Sequence, residues 1–190
     1  MESSTPGAYT PVGGDKQLRD IDKIAPEGDL VLIIGQEQQA IRVYSQCLRG
    51  TSAVFRTMFN PYHPYLYLPD DDAYAMYIIC CVVHCRNDLV DLFKDRLEPE
   101  EIFQVAILAD KYKLRIALQH MVPQWLVAKD LSIMSGVAYL MASAYLFRDE
   151  KAFSQHSLTL ILGHESTYLN LLPGETLAHC VPTITFRKSP

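Results

Sequence analysis

Residues 28–35 read GDLVLIIG, and residues 41–59 read IRVYSQCLRGTSAVFRTMF. Positions 30–34 are apolar without a break. A strand wet on one face would alternate, so the unbroken run predicts a strand buried on both faces. Residues 35–38 supply a turn. Residues 40–44 return as a second strand, with Ile41 and Val43 pointing one way and Arg42 the other. Ser45 stands where a helix N-cap is wanted, and Gly50 where a left-handed residue would end that helix. Ser52 would cap the next helix, 53–59, on which Val54, Phe55, Met58 and Phe59 share a face. The pattern is two strands followed by two short helices.

Pro61 and Pro64 then force a loop, and YLYL at 65–68 predicts a third short strand. Asp70, Asp71 and Asp72 stand where negative charge favours a helix start. The following helix, 73–85, is apolar nearly all round and should be central. Pro99, Glu100 and Glu101 open another helix running to about Leu114. Its inner stripe is Ile102, Val105, Ala106 and Ala109. Residues 115–126 predict one more helix, interrupted by Pro123. Two apolar helical segments follow, 131–147 and 150–162, split by Arg148 and Asp149 and ended by Gly163. Upstream, 1–14 are rich in Ser, Thr, Pro and Gly and cannot bury enough surface to order themselves. Residues 15–25 hold enough apolar residues for one or two helical turns, before Pro26 and Gly28 break the chain.

The chain has 190 residues, 49% of them apolar and 21% charged, within the ordinary range of a globular protein. A net charge of −5 argues against nucleic acid, whose phosphates need clustered Lys and Arg. Cys47, Cys80, Cys81, Cys85 and Cys180 are odd in number, and four lie in apolar helical contexts. That predicts reduced thiols and an intracellular protein, in cytoplasm or nucleus. The polar, acidic N-terminus does not read as a signal peptide. The longest apolar runs, 73–83 and 137–147, are well short of the about 20 residues of a membrane span, and read as buried helices.

In order, GDLVLIIG, IRVYSQCLRGTSAVFRTMF, YLYLPDDD (65–72), PEEIFQVAILADKYKL (99–114) and PQWL (123–126) resemble a BTB/POZ domain. In that family the second block is written around H-S-x-x-L-x-x-x-S-x-x-F-x-x-M-F. Here Tyr44 replaces the His, while Ser45, Leu48, Ser52, Phe55, Met58 and Phe59 match. Trp125 and AYLFRDEKAF at 144–153 resemble the short stand-alone BTB proteins of filamentous fungi. The resemblance covers roughly residues 24–163. It implies an α/β (α+β) fold, a small three-stranded sheet flanked by a helical bundle with a C-terminal helical extension. It divides the chain into a disordered arm 1–23, the domain 24–126, the extension 127–163 and an irregular tail 164–190.

The function implied is a non-enzymatic protein–protein interaction module, an adaptor or scaffold pairing with itself or another BTB-like protein. No cofactor, nucleic acid or membrane is implied. The alternatives are a substrate-recruiting adaptor of a cullin-type ubiquitin ligase, and an enzyme with an unrecognised cysteine site. Dimeric members pair a buried Asp with a basic residue in a pocket. Asp29 matches the Asp, and the basic position falls at Ser45. Cullin-binding members carry a φ-x-E motif after M-F. Here that segment is NPYHPY, without an acid, which disfavours a cullin partner. Their cullin-contacting aromatic falls at His84. By the resemblance, Met58, Asn60, Tyr62, His63 and His84 are the partner-binding candidates.

Cys80, Cys81, His84 and Cys85 resemble a metal site in composition only. Zinc takes four ligands in a tetrahedron, usually from two separated pairs, and one helix cannot wrap it. Small apolar residues of a buried helix explain them better. Cys47 with His63 or His120 is tied by no catalytic motif. Hard cations need oxygens converging from several directions, so 70–72 read as a helix start. Tyr62 and His63, in a two-proline loop, should be exposed. Tyr65 and Tyr67 read at least as well as inward-pointing strand residues.

Overall fold

A computed structural model describes residues 22–59, 62–93, 97–128, 130 and 133–163. The readings made for 1–21 and 164–190, and the candidate Asn60, lie outside the described residues.

The first described element is a strand, β1 (Asp22–Lys23), where the pattern predicted helical turns. It pairs parallel with β3 (Gln39–Val43), Asp22 opposite Ile41. That pairing delivers Ile24 into the core and lets the Ala25 N–H donate to the Arg42 carbonyl. Long-range pairing thus overrides a weak local helix preference. β2 (Leu30–Ile34) joins β3 as an antiparallel hairpin, Leu32 opposite Ile41. Gly35 opens the turn at φ 70°, a conformation that glycine adopts without strain. Gly28 admits a close approach, since a Cβ there would lie 2.3 Å from the Val43 carbonyl oxygen. β4 (Tyr65–Leu68) lies parallel to β2. The order is β1-β3-β2-β4, four strands rather than the three expected. All five residues of β2 are buried: Leu30, Leu32 and Ile34 enter the main core, while Val31 and Ile33 pack with Ala40 on the other face.

α1 (Ser45–Thr51) and α2 (Ala53–Met58) follow the hairpin. Gly50 lies inside α1 rather than ending it. The helix stops at Ser52, whose backbone is extended and whose N–H reaches the Leu48 carbonyl, so no left-handed residue is needed. Ser52 caps α2 as expected, its Oγ accepting the Phe55 N–H at 3.0 Å. The same buried hydroxyl donates to the Tyr112 carbonyl at 2.6 Å.

α3 (Ala73–Val83) is capped by Asp72, which accepts the Ala75 N–H at 2.7 Å. Asp71 takes no part in that helix start. It turns inward and accepts bonds from Lys111 Nζ at 2.5 Å and from the Tyr112 hydroxyl. The pattern gave no sign of α4 (Asn87–Phe93). α5 (Pro99–Lys111) opens on a capping bond from the Glu98 N–H to Glu101 at 2.8 Å. Its stripe of Ile102, Val105, Ala106 and Ala109 is buried in one cluster with Phe55.

The single helix expected over 115–126 is two, α6 (Arg115–Leu118) and α7 (Val122–Trp125). Pro123 sits in the first turn of α7, where its missing N–H costs nothing. α8 (Met134–Phe147) and α9 (Glu150–Gly163) turn on Arg148, which is left-handed at φ 59°. α8 packs on α5 through Phe103 and Tyr139, ring centroids 5.7 Å apart. Buried His156 ties α9 to α7, its Nε2 donating to the Leu126 carbonyl at 2.8 Å.

Candidate protein-interaction face

The β2–β3 hairpin sets Leu30 opposite Val43 and so brings Asp29 to the start of α1. Asp29 accepts the Ser45 N–H at 2.8 Å on one oxygen and the Ser45 hydroxyl at 2.6 Å on the other. The two pocket candidates therefore meet, but they satisfy each other. Ser45 is not the N-cap. Tyr44 holds that position without a side-chain bond, and Asp29 caps the helix from across the hairpin. A carboxylate suits a helix N-terminus. Burial pushes the Asp29 carboxyl up, but its Ser45 bonds and the charge of Arg49 outweigh that and leave its pKa lowered. Asp29 is exposed, so the pair forms a capped helix end rather than a closed charged pocket.

His84 ends α3 and is half-buried. Its Nδ1 faces the Cys80 carbonyl at 2.8 Å, and its Nε2 accepts the Tyr44 N–H at 3.0 Å. These partners assign the proton to Nδ1. The ring also stacks on Tyr44, centroids 6.4 Å apart. His84 thus clamps the end of α3 to the β3–α1 junction. Burial holds its pKa below the ordinary 6.5, against the opposing pull of the Cys80 carbonyl. Only the neutral ring can accept the Tyr44 amide.

The folded state therefore binds this proton less readily than the unfolded chain. Its contribution is complete above about pH 6.5, the ordinary value, and is lost as pH falls from there through the lower folded-state value. Melting temperature is expected to drop between about pH 7 and pH 5, and to drop less in His84→Gln, which keeps a donor and an acceptor but no charge. Equal slopes in both proteins would remove His84 as a cause.

The aromatic candidates lie along the chain from the end of α2 to β4. Met58 is 38% exposed, Tyr62 87%, Tyr65 47% and Tyr67 63%, and His63 is exposed. Tyr65 and Tyr67 do not point inward. The register sets Tyr65 beside Val31 and Tyr67 beside Ile33, on the sheet face away from the main core. Leu66 and Leu68 take the core side instead. Among the described residues β4 is an edge of the sheet, and its tyrosines stand on a strand paired to β2. Sequence reading missed Tyr44 and the edge position. The alternation Y-L-Y-L carried the signal for the tyrosines, since leucine is the residue a strand buries.

The cysteine cluster is spread apart. Cys80 and Cys81 are fully buried in the core, Cys85 is exposed beyond the helix at φ 54°, and both nitrogens of His84 are engaged. Among the described residues no three His, Cys, Asp or Glu are grouped to hold a metal ion. Burial pushes the Cys80 thiol up strongly. Cys47 is raised too, by burial and then by Cys85 and Asp29, which keeps it a poorly nucleophilic thiol. His63 and His120 are exposed. No helix of the described residues is long and apolar enough to cross a membrane.

No protein-family model matches the chain, and no curated protein matches it.

Proposed function

We propose that this chain is a non-enzymatic, intracellular BTB/POZ-type adaptor or scaffold that binds itself or another BTB-like protein. The observation that carries the reading is the exposed set of Met58 at the end of α2, Tyr62 in the turn before β4, and Tyr65 and Tyr67 on the edge strand. Tyrosines on rigid supports anchor protein interfaces, because they bury much area and lose little side-chain freedom. The element order β2-β3-α1-α2-β4-α3 agrees with the blocks that resemble the family. The raised Cys47 and Cys80 thiols favour a binding role over catalysis by either of them.

Tyr62→Asp with Tyr67→Asp should leave stability nearly unchanged, since both side chains are exposed. Binding should weaken by about thirtyfold, the effect of losing anchors worth at least about 2 kcal/mol. Self-association is read by sedimentation, and heterologous partners by capture from native extract. Unchanged self-association and an unchanged set of captured proteins would show that this face is not the binding site. Submicromolar binding of a cullin by the wild-type chain would replace the scaffold reading with substrate recruitment to a ligase.

A further inference from the structure

The pairing of β4 with β2 also fixes where the backbone of β4 points. The Val31 N–H donates to the Pro64 carbonyl at 2.8 Å, and the Gly35 N–H to the Leu68 carbonyl at 3.0 Å. In a parallel ladder every second residue of a strand bonds a given neighbour, and the residues between face the other way. Leu66 and Leu68 therefore turn their backbone groups to β2, and the N–H and C=O of Tyr65 and Tyr67 turn away from it. Among the described residues nothing pairs with these outward groups. Natural sheet edges are usually blunted by charge, proline or a bulge. β4 reads YLYL, with no charge and no proline between Pro64 and Pro69.

We propose that β4 pairs antiparallel with β4 of a second copy of this chain, joining the two sheets edge to edge. This rests on the self-binding reading above and gives it a geometry. A two-fold axis between the two Leu66 residues sets Tyr65 opposite Tyr67 of the second copy, and Tyr67 opposite its Tyr65. These are the residues whose backbone groups point outward. In an antiparallel pair such facing residues exchange both N–H···O bonds, and bonded pairs recur at every second residue. One register therefore satisfies the outward groups of both tyrosines in both copies. A slip by one residue would set Tyr65 opposite Leu66, whose amide already faces β2. The same register brings the tyrosine rings into cross-strand pairs on the sheet face away from the main core. Antiparallel order also holds the exposed Asp70 of each copy at opposite ends of the joint, where parallel order would set like charges side by side. The contact uses the same patch on both copies and so closes on itself.

Amide hydrogen exchange in the full ¹⁵N-labelled chain tests this without a substitution, at concentrations where sedimentation shows monomer and where it shows dimer. The Tyr65 and Tyr67 amides are expected to exchange about tenfold more slowly in the dimer, while those of Leu66 and Leu68, bonded to β2 in both states, change little. Tyr67→Pro removes one outward N–H per copy and spares the β2 ladder, a position where an edge strand tolerates proline. It should weaken self-association about tenfold more than Tyr67→Val, which removes the ring and keeps the N–H. Dimers without slowed Tyr65 and Tyr67 exchange, or equal weakening by the two variants, would overturn the strand pairing and leave self-binding through side chains standing. A chain that stays monomeric at the highest concentrations NMR uses would overturn the pairing and self-binding together, leaving only a heterologous partner.

Discussion

Truncating Phe55 to alanine is expected to destabilise the fold by about 3–5 kcal/mol, through lost transfer energy and the cavity left behind. The ring is fully buried where α2 meets α5. It lies against Tyr112 with centroids 4.4 Å apart and planes at 7°, and against Phe59 at 5.7 Å and 8°. Tyr112 cannot move in to fill the gap, because it is held through its hydroxyl by Asp71 and through its carbonyl by Ser52. Domains of this kind have about 5–15 kcal/mol in total, so the loss is a large share. The melting temperature should fall by about 10 °C, at roughly 2–4 °C per kcal/mol for chains of this size. Phe55→Leu should lose clearly less. An alanine variant with the wild-type denaturation midpoint would contradict the placement of this ring.

Asp71→Ala should be the next most damaging change, at about 2–3 kcal/mol. Asp71 is buried, and so is Tyr112. Without the carboxylate the Tyr112 hydroxyl is stranded away from water, which costs about 1–3 kcal/mol. Lys111 is about half exposed and returns to solvent, so its ion pair adds little. Burial, and then the carboxylate itself, push the Tyr112 phenol up, which keeps it a donor across the accessible range. The check is a double-mutant cycle with Tyr112→Phe, in which a coupling of at least about 1 kcal/mol is expected. Strict additivity of the two changes would mean that the bond contributes nothing.

What the chain revealed in advance was what short-range pattern encodes. The unbroken LVLII run announced a strand buried on both faces, and Ser52 announced the cap of α2. Apolar spacing picked out the α5 stripe. Features that depend on distant partners were hidden. Asp22 and Lys23 form a strand only because Ile41 and Arg42 accept them. Ser45 looked like a cap because its residue type suits one, whereas Asp29 arrives from across the hairpin to do that work. Asp71 could not be told from Asp70 and Asp72 without Tyr112, which lies far along the chain. His84 was placed by resemblance, but its bonds to Tyr44 and Cys80 give it a clamping role that no spacing rule describes.

Ser52 has a kinetic meaning as well as a structural one. Its bond to the Phe55 N–H closes over three residues and is available once a single helical turn forms, on a timescale of about a microsecond or less. Its bond to the Tyr112 carbonyl spans sixty residues and must wait until α5 has docked. Contacts of that separation carry the loop-closure entropy that slows folding. One hydroxyl therefore takes part in an early event and a late one, linking a locally encoded turn to the arrival of a helix made much later in the chain.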